Sequence, residues 1–178
     1  MKQNNMNNFI SSSYTIDTLN NLGMSNFEYF QAESKNDALF KWLDLYSGID
    51  WLIKDKNNSI YTVASRIRFV RPEKPKIYQE FTIRGELYGG IKSEYQKRIT
   101  SIKNGSLYPY FTIQSWFSGS HFMCGAVIKT QDLYDFIKRQ PHAVGEMFSN
   151  RTFYTVKWDN VKDCEYPILV ATSSLYHG

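Results

Sequence analysis

The chain is poor in the residues that build covalent and metal frameworks. It has two cysteines in 178 residues, Cys124 and Cys164. Their wide separation gives neither a disulfide framework nor a zinc-ligand pattern, and the expectation is a reduced, cytosolic setting. The three histidines, His121, His142 and His177, are scattered. There is no His-Glu-x-x-His and no Gly-x-Ser-x-Gly. Tyr88-Gly89-Gly90 is not followed by the Gly-Lys-Ser/Thr of a phosphate-binding loop. Metallohydrolase, acyl-transfer and nucleoside-triphosphatase readings therefore have no motif behind them. Long apolar runs are missing too, so no membrane-spanning helix is expected. The start, Met-Lys-Gln-Asn-Asn, has no apolar stretch of the signal-peptide kind.

What is present is a core and an uneven charge. Hydrophobic residues make 42% and charged residues 21%, the balance of a packed globule. The length suits a single domain. Aromatics reach 16%, so the core is expected to be built on aromatic layers. Net charge is +4, but residues 60–103 hold ten Lys/Arg against four acids. That local positive field suits a phosphate-bearing partner, or equally an ordinary solvated face.

Residues 1–33 read as an N-terminal arm or short helix packed on the core, and 34–178 as the single domain. Ser34, with Leu39, Trp42, Leu43 and Tyr46 at helical spacing and Gly48 as the stop, predicts a first long helix. Three strand patterns follow, over 49–54, 59–70 and 76–87. "DKNN" and "RPEKP" separate them, and the expectation is an antiparallel meander. Ser93 to Gly105 switches to helix, with Glu94 and Arg98 spaced for an i,i+4 ion pair. Strands are predicted over 107–117 and 121–130, then a helix capped by Thr130 and broken at Pro141. A strand over 151–161 and an edge strand or docked tail close the chain. The fold class is α/β (α+β): one domain with a mixed, mostly antiparallel sheet flanked by helices.

The order helix, Gly48-Ile49-Asp50 strand, long strand, third strand, helix, strand resembles the core of the restriction-endonuclease-like superfamily, the PD-(D/E)xK nucleases. The likeness spans about 34–117. It implies a metal site in which Asp50 binds a divalent cation, Mg²⁺. An acid or glutamine and then a lysine would come from the next strand. There the sequence departs: Ala64-Ser65-Arg66-Ile67-Arg68 puts serine for the acid and arginine for the lysine. Arginine does not deprotonate, so it stabilises phosphate charge but is no general base. Glu80 and Glu94 are the candidates for a second acid. Asp50 as a turn cap or an ion-pair partner is the competing reading.

The arginines carry the broader signal. Arg66 and Arg68 are two apart on one strand and so share a face. Arg84, Lys97 and Arg98 complete a candidate nucleic-acid-binding set, with Tyr61, Tyr78, Phe81 and Tyr88 interleaved for stacking on bases. Gln114, a polar residue inside an aromatic strand on the face of Thr112, is expected to be hydrogen-bonded if buried. Lys129 is a further candidate for reaching phosphate.

The functional expectation is a nucleic-acid-binding protein, for DNA or RNA, with a nuclease-like core that is catalytically degenerate or weakly metal-dependent. The alternative is a non-enzymatic protein-interaction module. One example is a phage or mobile-element inhibitor of a host defence protein, its arginine face meeting an acidic partner.

Overall fold

The computed structural model describes residues 13–31, 43, 47–73, 75–86, 93–148 and 152–176. The helix expected from Ser34 falls mostly outside these residues, as does Tyr88. The protein is a single-domain, mixed α/β fold. A six-stranded sheet takes the order β1 (Glu28–Gln31), β2 (Trp51–Lys54), β3 (Ile60–Phe69), β5 (Phe111–Ser118), β6 (His121–Lys129) and β9 (Ile168–Thr172). Among the described residues, only β3 and β5 pair in parallel; the other neighbours in this sheet are antiparallel. A second, antiparallel sheet takes the order β4 (Glu80–Glu86), β8 (Thr152–Lys157) and β7 (Val144–Phe148).

The expected meander is therefore corrected. The third strand pattern is a strand, β4, but it leaves the sheet of β2 and β3 and begins another. The reason lies in residues 70–79. With Pro72 and Pro75, this stretch is longer than a hairpin loop and takes the chain out of the first sheet. Val70 N–H donates to the Phe117 carbonyl at 2.8 Å, and Trp158 N–H donates to the Gln79 carbonyl at 2.9 Å, so the crossing is tied at both ends. The chain then returns through α2 (Glu94–Asn104) to β5, which explains the parallel pairing.

The large sheet has two unlike faces, each with its own core. Helix α1, residues 13–21, lies on one. Its Leu19 and the following Leu22 pack with Trp51, Ile53, Val63, Ile113 and Val127. Thr18 Oγ1 donates to Ser115 Oγ at 2.9 Å across that contact. The other face meets the second sheet together with α2, α3 (Thr130–Arg139) and α4 (Trp158–Asp163). There Cys124, Ala126 and Ile128 pack against Phe81, Ile83, Val156, Leu133, Phe136 and Trp158. Burial pushes the Cys124 thiol up to about 12, so it is inert as a nucleophile.

The strand expected over 151–161 ends at Lys157, and helix α4 takes over from Trp158. The ends of α2 follow the sequence, and the start of α3 does not. Ser93 caps α2 in a reciprocal box with Gln96, and Gly105 closes it in the left-handed region at φ 61°. Thr130, expected as the cap of α3, is instead its first residue. Lys129 is the N-cap, and Thr130 Oγ1 lies 2.8 Å from Thr112 Oγ1. The terminal pattern is edge strand β9, whereas β1 and β7 carry too little β pattern to be read in advance. Among the described residues, no helix is long and apolar enough to cross a membrane.

Candidate nucleic-acid interface

Register places the chemistry. Arg66 pairs with Gln114, and Arg68 with Trp116, across β3 and β5. Side chains in register share a face, so these four point toward the second sheet. β4 brings Thr82 down onto them, and Thr82 becomes a polar hub. Its backbone N–H donates to Gln114 Oε1 at 2.9 Å. Its hydroxyl donates to the same oxygen at 3.0 Å and accepts from Arg66 Nη1 at 3.1 Å and Arg68 Nη2 at 2.9 Å. The Thr82 carbonyl takes a further bond from Arg66 Nη1 at 2.5 Å. A backbone N–H only donates, which settles the orientation of the Gln114 amide: oxygen on Thr82, NH₂ turned away.

The two arginines differ in how fully they are engaged. Arg66 Nη2 also donates to Glu94 Oε2 at 2.7 Å, and that oxygen accepts the Arg84 backbone N–H at 3.2 Å. Arg66 is thus fixed in a network. Among the described residues, the Arg68 side chain makes one hydrogen bond, to the Thr82 hydroxyl. Burial lowers its pKa, as does the charge of Arg66, while Glu80 works in the opposite sense. Glu80 pairs in register with Lys157. Burial raises its carboxyl above the usual range; Arg68 and Lys157 pull it back.

A cleft of about 800 Å³ opens beside this hub, at the carboxyl ends of the parallel strands β3 and β5. Its cations are Arg68, Arg71 and Lys76; its aromatics are Tyr78, Trp116 and the rim residue Phe69, whose ring packs on Tyr14 and Phe117 of the other face; Glu80, Thr82 and Gln114 complete the polar lining. Phe69 and Tyr78 are 47% and 45% exposed. Trp116 Nε1 donates to the Tyr78 carbonyl at 2.8 Å, and the two rings lie 6.4 Å apart. Lys76 Nζ sits 4.9 Å from the Tyr78 ring centre, a cation–π contact. The carboxyl ends of parallel strands, where neighbouring connections diverge, are a general place for ligands in sheets flanked by helices.

The structure disperses part of the expected set. Arg98 is not a surface cation. It is 6% exposed and donates to the Ser47 carbonyl and, at 2.8 Å, to the Gly48 carbonyl. The expected Glu94–Arg98 pair gives way to Arg66–Glu94, because buried carbonyls at 47–48 need donors and Arg98 supplies them. Phe81 is core rather than a stacking face. Tyr61 packs on Phe27, Tyr110 and Phe111. Arg84 is partly buried on β4 and Lys97 partly buried on α2, away from the cleft lining. Lys129 Nζ lies 5.8 Å from the Tyr110 ring centre.

The carboxylates expected to hold Mg²⁺ have other partners. Asp50 Oδ2 accepts the Ser65 backbone N–H at 2.6 Å, one step beyond the last β2–β3 pair, Trp51 with Val63. Its side chain extends the ladder in the manner of a cap. Glu94 is bound to Arg66, and Glu80 faces Arg68 and Lys157. Among the described residues, no three His, Cys, Asp or Glu gather where they could hold a metal ion. A hard divalent cation takes oxygens from carboxylates, carbonyls and water, and two arginines beside those carboxylates compete for them. This donor set does not fit the cation.

Arg71, Lys76, Phe69 and Trp116 were not among the site residues expected from sequence. The signal that marks them is a basic, proline-bounded crossing, "RPEKPK", leading out of an aromatic-ended strand. No family model, curated protein or solved structure matches the chain.

Proposed function

We propose that the protein binds nucleic acid in the cleft between its two sheets, through a core whose nuclease-like carboxylates serve structure rather than metal chemistry. One observation carries this reading: Arg68, Arg71 and Lys76 stand among the exposed or part-exposed rings of Tyr78 and Trp116. Cations alone make a solvated surface, and aromatics alone make a sticky one. Interleaved in one concave site, they match a phosphate backbone that carries flat, stackable bases.

The test is binding of labelled oligonucleotides of about 12 residues across a salt series. Wild type is expected to lose affinity steeply as salt rises from ~50 to ~200 mM. Arg71→Ala with Lys76→Ala, both on exposed side chains, is expected to reduce the slope of log K against log salt by about 2. Salt-insensitive binding, or a slope unchanged by the pair, would remove the proposal. The same mixtures with Mg²⁺ or Mn²⁺ report cleavage, and Asp50→Asn is expected to match wild type.

Glu80 makes the cleft pH-sensitive. Its carboxylate opposes an anionic ligand and competes for Arg68. Because burial raises its pKa, it takes up a proton as pH falls before an ordinary glutamate would. The protonated form leaves Arg68 and Lys157 uncompensated, so affinity rises on acidification. Glu80→Gln is expected to bind roughly fivefold tighter at neutral pH, about 1 kcal/mol, and to lose that pH dependence. Fluorescence anisotropy from neutral pH down through the ordinary glutamate range, about pH 4, checks both.

A further inference from the structure

Gln114 is the polar group that the hub leaves incomplete. It is 2% exposed, and its Nε2 has no hydrogen-bond partner among the described residues. Its oxygen already accepts two bonds from Thr82, so the group cannot turn to satisfy the amide without orphaning a backbone N–H. An unpaired buried donor is costly, and this one belongs to the cleft lining. Beside it, Arg68 has donors beyond its one bond to the Thr82 hydroxyl.

Resting on the nucleic-acid reading above, we infer that the cleft takes a single strand by seating one unpaired base, uracil or thymine rather than adenine, with the 4-carbonyl of the base on the Gln114 amide. Three steps lead there. First, an aromatic side chain stacks only on a base whose face is free, and a duplex covers those faces; Tyr78 therefore selects an unpaired base. Second, the acceptor that Gln114 lacks is a neutral one. Phosphates are held where Arg71 and Lys76 reach solvent, since an anion taken to the depth of Gln114 loses its hydration. Third, an amide NH₂ and an arginine offer only hydrogens. A uracil or thymine carbonyl has two lone pairs and accepts from both, whereas adenine's N1 and N7 each accept one bond and stand beside an amino group that presents hydrogen against hydrogen.

Two side chains move as the base enters. Lys76 leaves the face of Tyr78 for the adjoining phosphate. Arg68, with one hydrogen bond among the described residues, swings toward the carbonyl, and the Gln114 amide, shielded from solvent in the free protein, takes the base.

Competition against a labelled single strand by uridine and adenosine monophosphates tests this without the self-stacking that biases homopolymers. Uridine monophosphate is expected to compete roughly five- to tenfold better, and single strand to bind roughly tenfold tighter than duplex. Gln114→Glu keeps the oxygen that Thr82 needs and replaces the NH₂ with a second acceptor. It is expected to bring the two nucleotides to parity or to reverse them, with the salt slope retained. A uridine analogue lacking the 4-carbonyl oxygen asks the same of wild type, so the answer does not depend on the variant folding. Oligonucleotide binding that is steep in salt but blind to base, to the 4-carbonyl and to duplex would overturn the inference and leave nucleic-acid binding standing. No binding of any oligonucleotide would overturn both.

Discussion

Thr82→Val is expected to lower stability by about 3 kcal/mol and to weaken oligonucleotide binding roughly tenfold. The side chains are nearly the same size, so packing changes little and the loss belongs to the hydroxyl. That hydroxyl donates to Gln114 and accepts from both Arg66 and Arg68. Without it, Arg66 keeps the Thr82 carbonyl and Glu94, and Gln114 keeps the Thr82 backbone N–H. Arg68 keeps no hydrogen-bond acceptor among the described residues. Bonds to a charged group are worth about 1.5–3 kcal/mol each. The loss therefore falls chiefly on Arg68, and an Arg68 no longer positioned is the link from stability to binding. Thr82→Ser restores the hydroxyl and is expected to cost under about 1 kcal/mol. Urea unfolding with an unchanged m-value measures the first effect, and anisotropy the second. If valine costs no more than serine, the hub does not organise the interface.

The hub shows where the sequence stops being informative. That Arg66 and Arg68 share a face follows from strand period alone, and both do meet Thr82. What they meet does not follow, because it depends on β4 leaving the first sheet. β4 was legible as a strand through its β-branched and aromatic residues. Its sheet was not, because hydrophobic alternation fixes which face is buried and says nothing about which strand lies alongside. The loop length was the one available warning: residues 70–79 exceed a hairpin connection. α2 was legible because Ser93 and Gly105 mark both ends by local chemistry. β7, by contrast, contains Gly145, which lets Thr155 of β8 approach so closely that a Cβ there would lie 2.5 Å from its Oγ1. A glycine kept for close approach weakens the very pattern that announces a strand. Gln114 was conspicuous as a polar residue in an aromatic strand. Its unpaired amide became visible only once Thr82 had taken the oxygen.

Arg98 and Gly48 are expected to fail additivity when both are changed. Arg98 is buried and holds the Ser47 and Gly48 carbonyls with its two terminal nitrogens. Arg98→Met fills much of the same space but leaves two carbonyls without those donors, and is expected to cost about 3–4 kcal/mol. Gly48 has φ 56°, and a Cβ there would lie 2.8 Å from Arg98 Nη2. Gly48→Ala therefore has two costs: about 1–2 kcal/mol for an L side chain in the left-handed region, and a further displacement of the guanidinium from the carbonyls it serves. With methionine at 98 the second cost has no guanidinium to act on, while the first remains. The double variant is expected to be more stable than the sum of the single losses by about 1 kcal/mol, read from a denaturation cycle. Strict additivity would mean that the glycine is needed for its φ alone. Coupling of the expected sign would mean that one buried arginine sets the backbone leading into Asp50, and with it the start of β2. The Arg98 charge that the sequence assigns to nucleic-acid binding would then act inside the fold, and the cations left for a ligand would be those around the cleft.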